Sequence, residues 1–260
     1  MQRRKAQTQN LEKQPQYVKE EFSITKLKVN FLAKTENQKL LSKLIKTKDI
    51  TICGGPAGTG KTYVACADAL KLIVSPDTFY KKIIIAKSVT VTEGEDIGYL
   101  KGSMQEKMEP FMESFLDNFY KIIGKPLTAK LMECEIIEVL PLAYIRGRSI
   151  DNAIIIVDEA QNISLKNMRT TMTRIGEDSK MIIIGDTRQI DLKDKKLSSL
   201  DVVMQMFANN TKIGTMHFVK SDIVRNPLII EIEEEFEKME NLKASTGKAS
   251  GPTSDPRSTQ

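Results

Sequence analysis

The segment from Gly55 to Thr62, which reads GPAGTGKT, constrains the fold more than any other stretch of this sequence. It matches the pattern GxxxxGK[ST] at every fixed position, directly after a short apolar run and directly before a helical pattern. In such a loop, glycines let the backbone wrap closely around phosphate, backbone N–H groups form an anion-binding nest, and the helix start adds positive charge. An ordinary glycine-rich turn is the alternative, but the order of strand, loop and helix disfavours it. The sequence therefore predicts a phosphate-binding loop.

The residues that end this loop have specific predicted roles. We expect Lys61 to reach the β and γ phosphates of a nucleotide and the Thr62 hydroxyl to bind Mg²⁺. The residues expected to contact the nucleotide are Gly55, Pro56, Ala57, Gly58, Thr59, Gly60, Lys61, Thr62 and Tyr63.

Short runs rich in Ile and Val alternate with helical patterns along the chain. The runs are Asp49–Cys53, Lys82–Ala86, Ile136–Leu140, Ala153–Val157, Met181–Ile184 and Ile213–Phe218. Because they are continuously apolar rather than alternating, both faces of each strand should be buried. The helical patterns are Thr62–Ile73, Met104–Phe119, Leu165–Arg174 with Ser164 as its N-cap, and a stripe of Ile229, Ile232, Phe236 and Met239. The sequence predicts an α/β fold with a mostly parallel sheet and helices on both faces.

Composition narrows the possible classes of protein. The 260 residues carry 39 Lys and Arg against 34 Asp and Glu, and the single histidine, His217, excludes any mechanism that needs two. Three cysteines without CxxC spacing favour a reducing compartment, so we expect the cytoplasm, or the host cytoplasm if the protein is phage-encoded. The longest uninterrupted apolar runs are about five residues, far below the roughly 20 that a membrane helix needs, so we expect no membrane association.

Both ends of the chain are polar and rich in small or charged residues. Such segments bury too little apolar area to offset the entropy of ordering them. We therefore expect a flexible N-terminal arm over residues 1–22, one domain containing the phosphate loop over residues 23–242, and a disordered tail over residues 243–260.

Two adjacent acids, Asp158 and Glu159, follow the run Ala153–Val157. Ligands of open α/β sheets bind at the carboxyl ends of the strands, where these acids would lie. We expect Asp158 to hold Mg²⁺, usually through water, and Glu159 to polarise the attacking water. The alternative is a helix N-terminal turn, in which acids are also favourable.

A further strand ends in the sequence GDTRQIDL. A polar residue at the tip of the strand next to the acidic strand can contact the γ phosphate or the attacking water, and we predict that Gln189 is this sensor. The alternative is a polar turn capped by Asp186.

The base is expected to be adenine. A guanine pocket normally shows Asn/Thr-Lys-x-Asp late in the chain, and the stretch Thr211–Gly214 lacks the final Asp. The order Asp158-Glu159 is also typical of the ATPase branch of phosphate-loop folds. ATP with Mg²⁺ is therefore the predicted ligand.

The stretch from Thr35 to Leu242 resembles the PhoH family, whose ATPase domain is similar to the first core domain of superfamily 1 helicases. Matching segments occur in order along the chain. They are TENQ at 35–38, GPAGTGKTY at 55–63, EGE at 93–95, GYL at 98–100, PLAYIRGR at 141–148, VDEAQN at 157–162, TRIG at 173–176, GDTRQIDL at 185–192 and VRNP at 224–227. The resemblance implies a RecA/helicase-like P-loop NTPase and a homo-oligomeric ring such as a hexamer.

The resemblance also implies roles for individual residues. Gln38 resembles the glutamine that reads adenine in helicase-like folds, with a surface glutamine as the alternative. Arg146 and Arg148 lie in a loop where two guanidinium groups could clamp phosphates of nucleic acid or of a neighbour's nucleotide, or could simply be solvated. Arg225 is the predicted arginine finger, supplied in trans within a ring, and Arg174 is the reserve candidate.

The sequence departs from the family pattern in three places. Lys87-Ser88 stands where the family typically has an Arg-Pro-like pair, and the segment Lys193–Leu200 lacks the usual Pro-Arg-Gly and Ser-Gly-Leu. We also expect no attached KH, PIN or second helicase domain, so unwinding by one core would require assembly between subunits.

Two functions of different class fit these features. The first is an ATPase that couples hydrolysis to binding or remodelling single-stranded RNA or DNA, for which a net charge of +5 gives modest support. The second is an ATP-dependent switch or scaffold without motor activity on nucleic acid. A small-molecule kinase is disfavoured because no Arg-rich lid segment stands out.

Overall fold

A computed structural model of the chain describes most of the residues between 24 and 239. The described residues are 24, 27–87, 104–145, 147–192, 194–225, 228, 230–232, 234–236 and 238–239. The predicted N-terminal arm and C-terminal tail lie outside them, as do Arg146 and the segment 88–103 that contains EGE and GYL.

Six parallel strands form one sheet in the order β3-β2-β4-β5-β1-β6. The strands are β1 (Ile50–Gly54), β2 (Lys82–Lys87), β3 (Ile137–Pro141), β4 (Ala153–Asp158), β5 (Lys180–Ile184) and β6 (Ile213–His217). Every predicted strand is present, with its ends shifted by one residue at most. This arrangement confirms the predicted α/β class with a parallel sheet.

The helices cover both faces of this sheet. Those with described bounds are α1 (Glu36–Thr47), α2 (Lys61–Ile73), α3 (Met104–Ile123), α4 (Lys125–Glu133), α5 (Leu142–Ile145), α6 (Leu165–Met172) and α7 (Leu200–Met206), with short 3-10 turns at Ala160–Asn162, Lys195–Leu197 and Lys220–Asp222. None of the described helices combines the length and the apolar character needed to cross a bilayer.

The structure refines two predicted details of the helices. Ser164 does occupy the N-cap position of α6, but its side chain makes no capping hydrogen bond, and α6 ends at Met172 rather than Arg174. The apolar stripe predicted near the end of the chain is helical where described, and its residues Ile232, Phe236 and Met239 are exposed.

The core consists of two apolar layers separated by the sheet. Alternate residues of each strand enter opposite layers, so Ile83 and Ile85 pack on the side of α1 to α4, whereas Ile84 packs on the side of α5 to α7. All three are fully buried. This two-sided burial is why the strands read as continuous apolar runs.

The strand order determines which polar residues meet. Strand β5 lies between β1, which leads into the phosphate loop, and β4, which ends in the acids. In a parallel sheet all carboxyl ends share one edge, so Gly54, Asp158 and the residues after Ile184 converge there.

Candidate nucleotide site

The phosphate loop runs from the end of β1 at Gly54 to the start of α2 at Lys61. Gly60 has φ +82°, in the left-handed region that disfavours residues with a side chain, and a Cβ there would lie 2.9 Å from Gln38 Nε2. Gly55 allows an equally close approach, because a Cβ at that position would lie 2.6 Å from Phe218 Cβ. The loop glycines are thus required by both conformation and space.

The Lys61 side chain folds back over this loop. Its Nζ donates hydrogen bonds of 2.7 Å to the carbonyl oxygens of Gly55 and Pro56, and only 8% of the residue is exposed. Burial lowers the pKa of the ammonium, and the nearby charge of Asp186 is the largest opposing influence. The ammonium is therefore held over the phosphate loop by two of the loop's own carbonyl groups.

Asp186, just beyond β5, contacts the same loop. Its Oδ2 accepts a hydrogen bond of 2.7 Å from the backbone N–H of Ala57, and its Oδ1 accepts one of 3.0 Å from the N–H of Arg188. Asp186 therefore does cap a turn, which was the alternative interpretation of this motif. It also binds a loop amide that a phosphate would use, and the position of β5 beside β1 makes this contact possible.

Thr62 and the two acids meet across the β1 and β4 ends of the sheet. Thr62 Oγ1 lies 3.3 Å from Asp158 Oδ2, and Asp158 Oδ1 accepts a hydrogen bond of 2.8 Å from the N–H of Glu159. Burial, followed by the charge of Glu159, raises the pKa of Asp158 to about 6. A hydroxyl and a carboxylate are the hard oxygen ligands that Mg²⁺ prefers beside nucleotide phosphates, so these residues fit the predicted metal.

Glu159 is held in an unusual backbone conformation. Its φ of 53° lies in the left-handed region, which is uncommon for a residue other than glycine. Such strain persists only where surrounding contacts hold it, and it is frequent at functional sites.

Gln161 is the main residue that sequence reasoning missed. It is fully buried, and its Nε2 donates to Glu159 Oε2 at 2.6 Å and to the Gln189 carbonyl at 3.0 Å. Its Oε1 accepts a hydrogen bond of 2.9 Å from the N–H of Asp186. A Cβ at Gly185 would lie 2.5 Å from Gln161 Oε1, so glycine is required beside it. Gln161 thus connects the acid predicted to act on water with the loop that contacts Ala57.

A second amide from the same turn fixes the far end of this loop. Asn162 Nδ2 donates to Asp191 Oδ2 at 3.0 Å, and Asn162 Oδ1 accepts from the N–H of Asp191 at 2.8 Å. The side chain of Gln189, the predicted sensor, is exposed, and Gln189 contacts Gln161 through its backbone carbonyl. The sensor role of its side chain stays a prediction.

Gln38 is neither exposed nor presented to an open adenine site. Only 3% of the residue is accessible. Its Nε2 donates to the Thr59 carbonyl at 2.9 Å, and its Oε1 accepts from the N–H of Lys34 at 2.7 Å. The surface alternative is therefore wrong. Adenine reading stays a prediction that requires these two bonds to open, because pairing with the base uses the same amide groups.

Arg225 lies against the phosphate loop of its own chain. The N–H of Val224 donates to the Gly58 carbonyl at 3.1 Å, and a Cβ at Gly58 would lie 2.9 Å from Arg225 Cδ. Asp222 accepts hydrogen bonds from Asn37 Nδ2 at 2.6 Å and from the Val219 N–H at 2.9 Å, which ties this segment to α1. Within its own chain Arg225 therefore lies beside the phosphate loop, and its action in trans within a ring stays a prediction.

The other arginines predicted from the resemblance lie away from this site. The carbonyl of Arg174 accepts from the N–H of Ile150, just before β4, at the amino edge of the sheet. Arg148 Nη2 lies 3.9 Å from Glu138 Oε2, and Glu138 also pairs with Lys82, the first residue of β2. Neither arginine contacts the phosphate loop of its own chain, so their roles toward a neighbour or nucleic acid remain predictions.

Comparison with known proteins identifies a family. A family model described as PhoH-like protein matches residues 30–237. Similar proteins include a PhoH-like protein of Synechocystis, 38% identical over 218 residues, and one of Bacillus subtilis, 40% identical over 205 residues. These alignments cover 84% and 79% of this chain but only 66% and 63% of the relatives' lengths. Protein PhoH of Escherichia coli is 34% identical over 76% of this chain and 55% of its own length.

More distant similarity is found among solved structures. The large terminase of a thermophilic bacteriophage, in complex with ADP, aligns with a TM-score of 0.44 and 14% identity, over 79% of this chain and 50% of the terminase. A SWI2/SNF2 ATPase core from Sulfolobus solfataricus in complex with dsDNA aligns with a TM-score of 0.39 and 11% identity, over 74% of this chain and 46% of that core.

Proposed function

This chain belongs to the PhoH-like protein family and has its P-loop ATPase-type fold, and on that premise we propose that it binds ATP with Mg²⁺ and hydrolyses the γ phosphate. The observation that carries the proposal is the meeting of Thr62 with Asp158, 3.3 Å apart, at the edge where Lys61 and Glu159 also lie. These four residues supply the cation, the two metal-binding oxygens and the base that phosphoryl transfer to water requires.

Nucleotide binding would exchange internal contacts of the loop for contacts with phosphate. The Ala57 N–H would leave the Asp186 carboxylate, and Lys61 Nζ would leave the two carbonyl oxygens that it now contacts. Phosphate oxygens are stronger acceptors for an ammonium than neutral carbonyls, because the bond is charge-assisted on both sides. Bound phosphate would therefore replace these internal hydrogen bonds with stronger, charge-assisted ones.

Hydrolysis would place a water molecule between Glu159 and the γ phosphorus. Glu159 takes a proton from the water as its oxygen forms the new P–O bond, and the bond to the β–γ bridging oxygen breaks to release ADP and phosphate. Thr62 and Asp158 would hold Mg²⁺, which when bound neutralises charge on the phosphates. Gln161 orients the Glu159 carboxylate through its bond of 2.6 Å.

The position of Arg225 supports a role in stabilising the charge on the γ phosphate within one chain. Its stem already lies over Gly58, so its guanidinium could reach the γ phosphate of the same subunit. A cis arginine would serve the same electrostatic purpose as the finger predicted in trans.

We further propose that this ATPase acts on single-stranded RNA or DNA as an oligomeric ring in the cytoplasm. Family membership and the net charge of +5 support this partner, and three thiols favour a reducing compartment.

The second candidate is a nucleotide switch without motor activity. It is favoured by the contacts that join Ala57, Asp186 and Gln161, because occupancy of the loop would shift them.

The test is ATP turnover by purified protein, with and without single-stranded RNA or DNA, at low and high salt. We expect Lys61→Ala and Glu159→Gln to abolish turnover, whereas Glu133→Gln, at an exposed helix position, should leave it unchanged. Stimulation that fades with salt supports the nucleic-acid enzyme, and hydrolysis without stimulation supports the switch. Unchanged turnover in both site variants would refute the proposed chemistry.

A further inference from the structure

A concave surface between α1 and α2 has no part in the nucleotide site. We call it the α1–α2 groove, and it encloses about 470 Å³. Its lining includes Lys39, Lys43, Lys46 and Lys71, with Phe31 and Leu32 from the extended segment before α1. No residue of the phosphate loop lines it, so its ligand would be distinct from ATP.

The lysines of α1 lie along one side of that helix. Residues 39, 43 and 46 are spaced by four and three positions, which places them on the same helical face. The seven steps of 1.5 Å from residue 39 to residue 46 make this row about 10 Å long. A row of that length suits a chain of negative charges better than a single phosphate.

Lys71 adds a fixed positive charge from the facing helix. Its Nζ lies 4.5 Å from the centroid of the Phe31 ring, a cation–π distance that restrains the side chain over the groove. Phe31 in turn packs on Tyr63, with ring centroids 5.8 Å apart. Charge therefore comes from both walls of the groove.

Two acids, Glu36 and Asp68, lie near the groove lysines. Glu36 pairs with Lys39 at 2.6 Å, but both side chains are largely exposed, where such a pair contributes little. Asp68 is fully buried behind Ser42, whose hydroxyl donates to it. Burial raises the pKa of its carboxyl, and the Ser42 hydrogen bond and the charges of Lys71 and Lys46 oppose that rise, so Asp68 offsets the groove charge only in the fraction that is ionised. No described ion pair involves Lys43 or Lys46.

We propose that the α1–α2 groove binds the sugar–phosphate backbone of single-stranded RNA or DNA. This inference rests on the proposed function, which supplies the class of partner. It adds the surface of this chain that the partner contacts. Leu32, 85% exposed at the rim, offers an apolar contact for a base or ribose, which a simple polyanion would not use. The lysines supply the phosphate contacts that dominate affinity for nucleic acid.

The position of α1 connects this groove with the nucleotide site. Gln38 and Asn37, in the first turn of α1, bond to the Thr59 carbonyl and to Asp222 respectively. A strand bound along Lys39 to Lys46 therefore lies on the helix that braces the phosphate loop. This contact gives a direct physical route from nucleic acid to the ATP site.

The test compares two double variants of the full chain that have equal net charge. Lys43→Gln with Lys46→Gln removes groove charge, and Lys121→Gln with Lys125→Gln removes the same charge from the exposed α3–α4 region. Binding of labelled oligouridylate and oligothymidylate is measured by fluorescence anisotropy over a range of salt. We expect the groove variant to lose about tenfold in affinity at moderate salt and the slope of log K against log salt to fall by about 1.4. The control variant should bind as the unmodified protein does.

Three further variants make the interpretation of this binding test specific. The variant Lys43→Arg with Lys46→Arg keeps the charge and should bind as the unmodified protein does. Leu32→Ser should weaken binding without changing the slope of log K against log salt. Lys61→Ala should bind oligonucleotides normally, so failure of the ATPase proposal is distinguishable from failure of this one. The inference is overturned if the unmodified protein binds neither oligonucleotide, if both glutamine variants bind equally, or if polyglutamate competes as well as the oligonucleotides.

Discussion

The carboxylate of Asp186 accepts a hydrogen bond of 2.7 Å from the backbone N–H of Ala57, so an anion of the protein itself already contacts the phosphate loop. The same carboxylate is the charge that most strongly opposes the lowered pKa of Lys61. In the proposed function a bound triphosphate uses the same amide and the same ammonium, so we expect Asp186 and the nucleotide to compete for one set of partners.

Replacing Asp186 with Asn should therefore strengthen nucleotide binding. The asparagine keeps an acceptor for Ala57 and Arg188 but removes the charge, and a neutral hydrogen bond is about half as strong as a charge-assisted one. We expect about fivefold tighter binding of a non-hydrolysable ATP analogue, which is about 1 kcal/mol. Calorimetric titration checks this value, with Asp117→Asn at an exposed position of α3 as the control. Weaker binding by the Asp186 variant would show that its charge supports the bound state instead.

The loop glycines provide a second prediction. Gly60→Ala must accept φ +82° and a Cβ 2.9 Å from Gln38 Nε2, whereas Gly147→Ala has no atom within 4 Å and no left-handed φ. The left-handed conformation alone costs an alanine about 1–2 kcal/mol. We expect Gly60→Ala to reduce nucleotide affinity at least tenfold and Gly147→Ala to leave it unchanged. Equal affinities would mean that the loop adopts another conformation when it binds nucleotide.

These glycines, the acid pair and the strands could all be predicted from the sequence because each depends on local spacing. Gln161 could not, since its partners at residues 159, 186 and 189 meet only when β5 lies beside β4. The resemblance assigns Gln38 to adenine, but in the fold the backbone of Lys34, four residues earlier, and that of Thr59 bond to its amide. The position of Arg225 also escaped prediction, because nothing in its local pattern indicates that residues 218–225 fold back onto Gly55 and Gly58.

The raised pKa of Asp158 predicts a pH dependence of magnesium and nucleotide binding. Burial raises this pKa to about 6, so the carboxyl becomes protonated as the pH falls below that value and could no longer serve as the proposed Mg²⁺ ligand. We expect the affinity for the Mg²⁺ complex of an ATP analogue to fall as the pH is lowered through about 6. Asp158→Asn should bind weakly at all these pH values. A flat profile for the unmodified protein would contradict the assignment.

The same pKa also affects the free energy of unfolding without nucleotide. Because the folded pKa is raised above the unfolded one, the stabilising contribution is fully present below the unfolded pKa and is lost as the pH rises through about 6. Thermal unfolding of nucleotide-free protein across this range should therefore show a loss of stability that Asp158→Asn lacks.

Gln161 is expected to act as a positioning residue for Glu159. Gln161→Ala removes the 2.6 Å bond to the carboxylate and leaves the Asp186 N–H and the Gln189 carbonyl without their partner. We expect turnover to fall about 100-fold with little change in KM, and the free energy of unfolding to fall by about 1–3 kcal/mol. Gln205→Ala, at an exposed position of α7, is the matched control. A merely structural role would change stability while leaving turnover per folded molecule unchanged.

Arg225 permits a direct test of cis against trans action. Because its stem lies over Gly58 of the same chain, we expect Arg225→Ala to lower turnover about 1,000-fold, as loss of a transition-state arginine does. Arg225→Ala subunits are then mixed with Lys61→Ala subunits under conditions in which the protein assembles. If Arg225 acts in cis, each subunit lacks a group that its own site needs, so the mixture should remain inactive. In trans, an intact Lys61 site beside an intact Arg225 would recover activity in proportion to the mixed interfaces, and such recovery would refute the cis assignment.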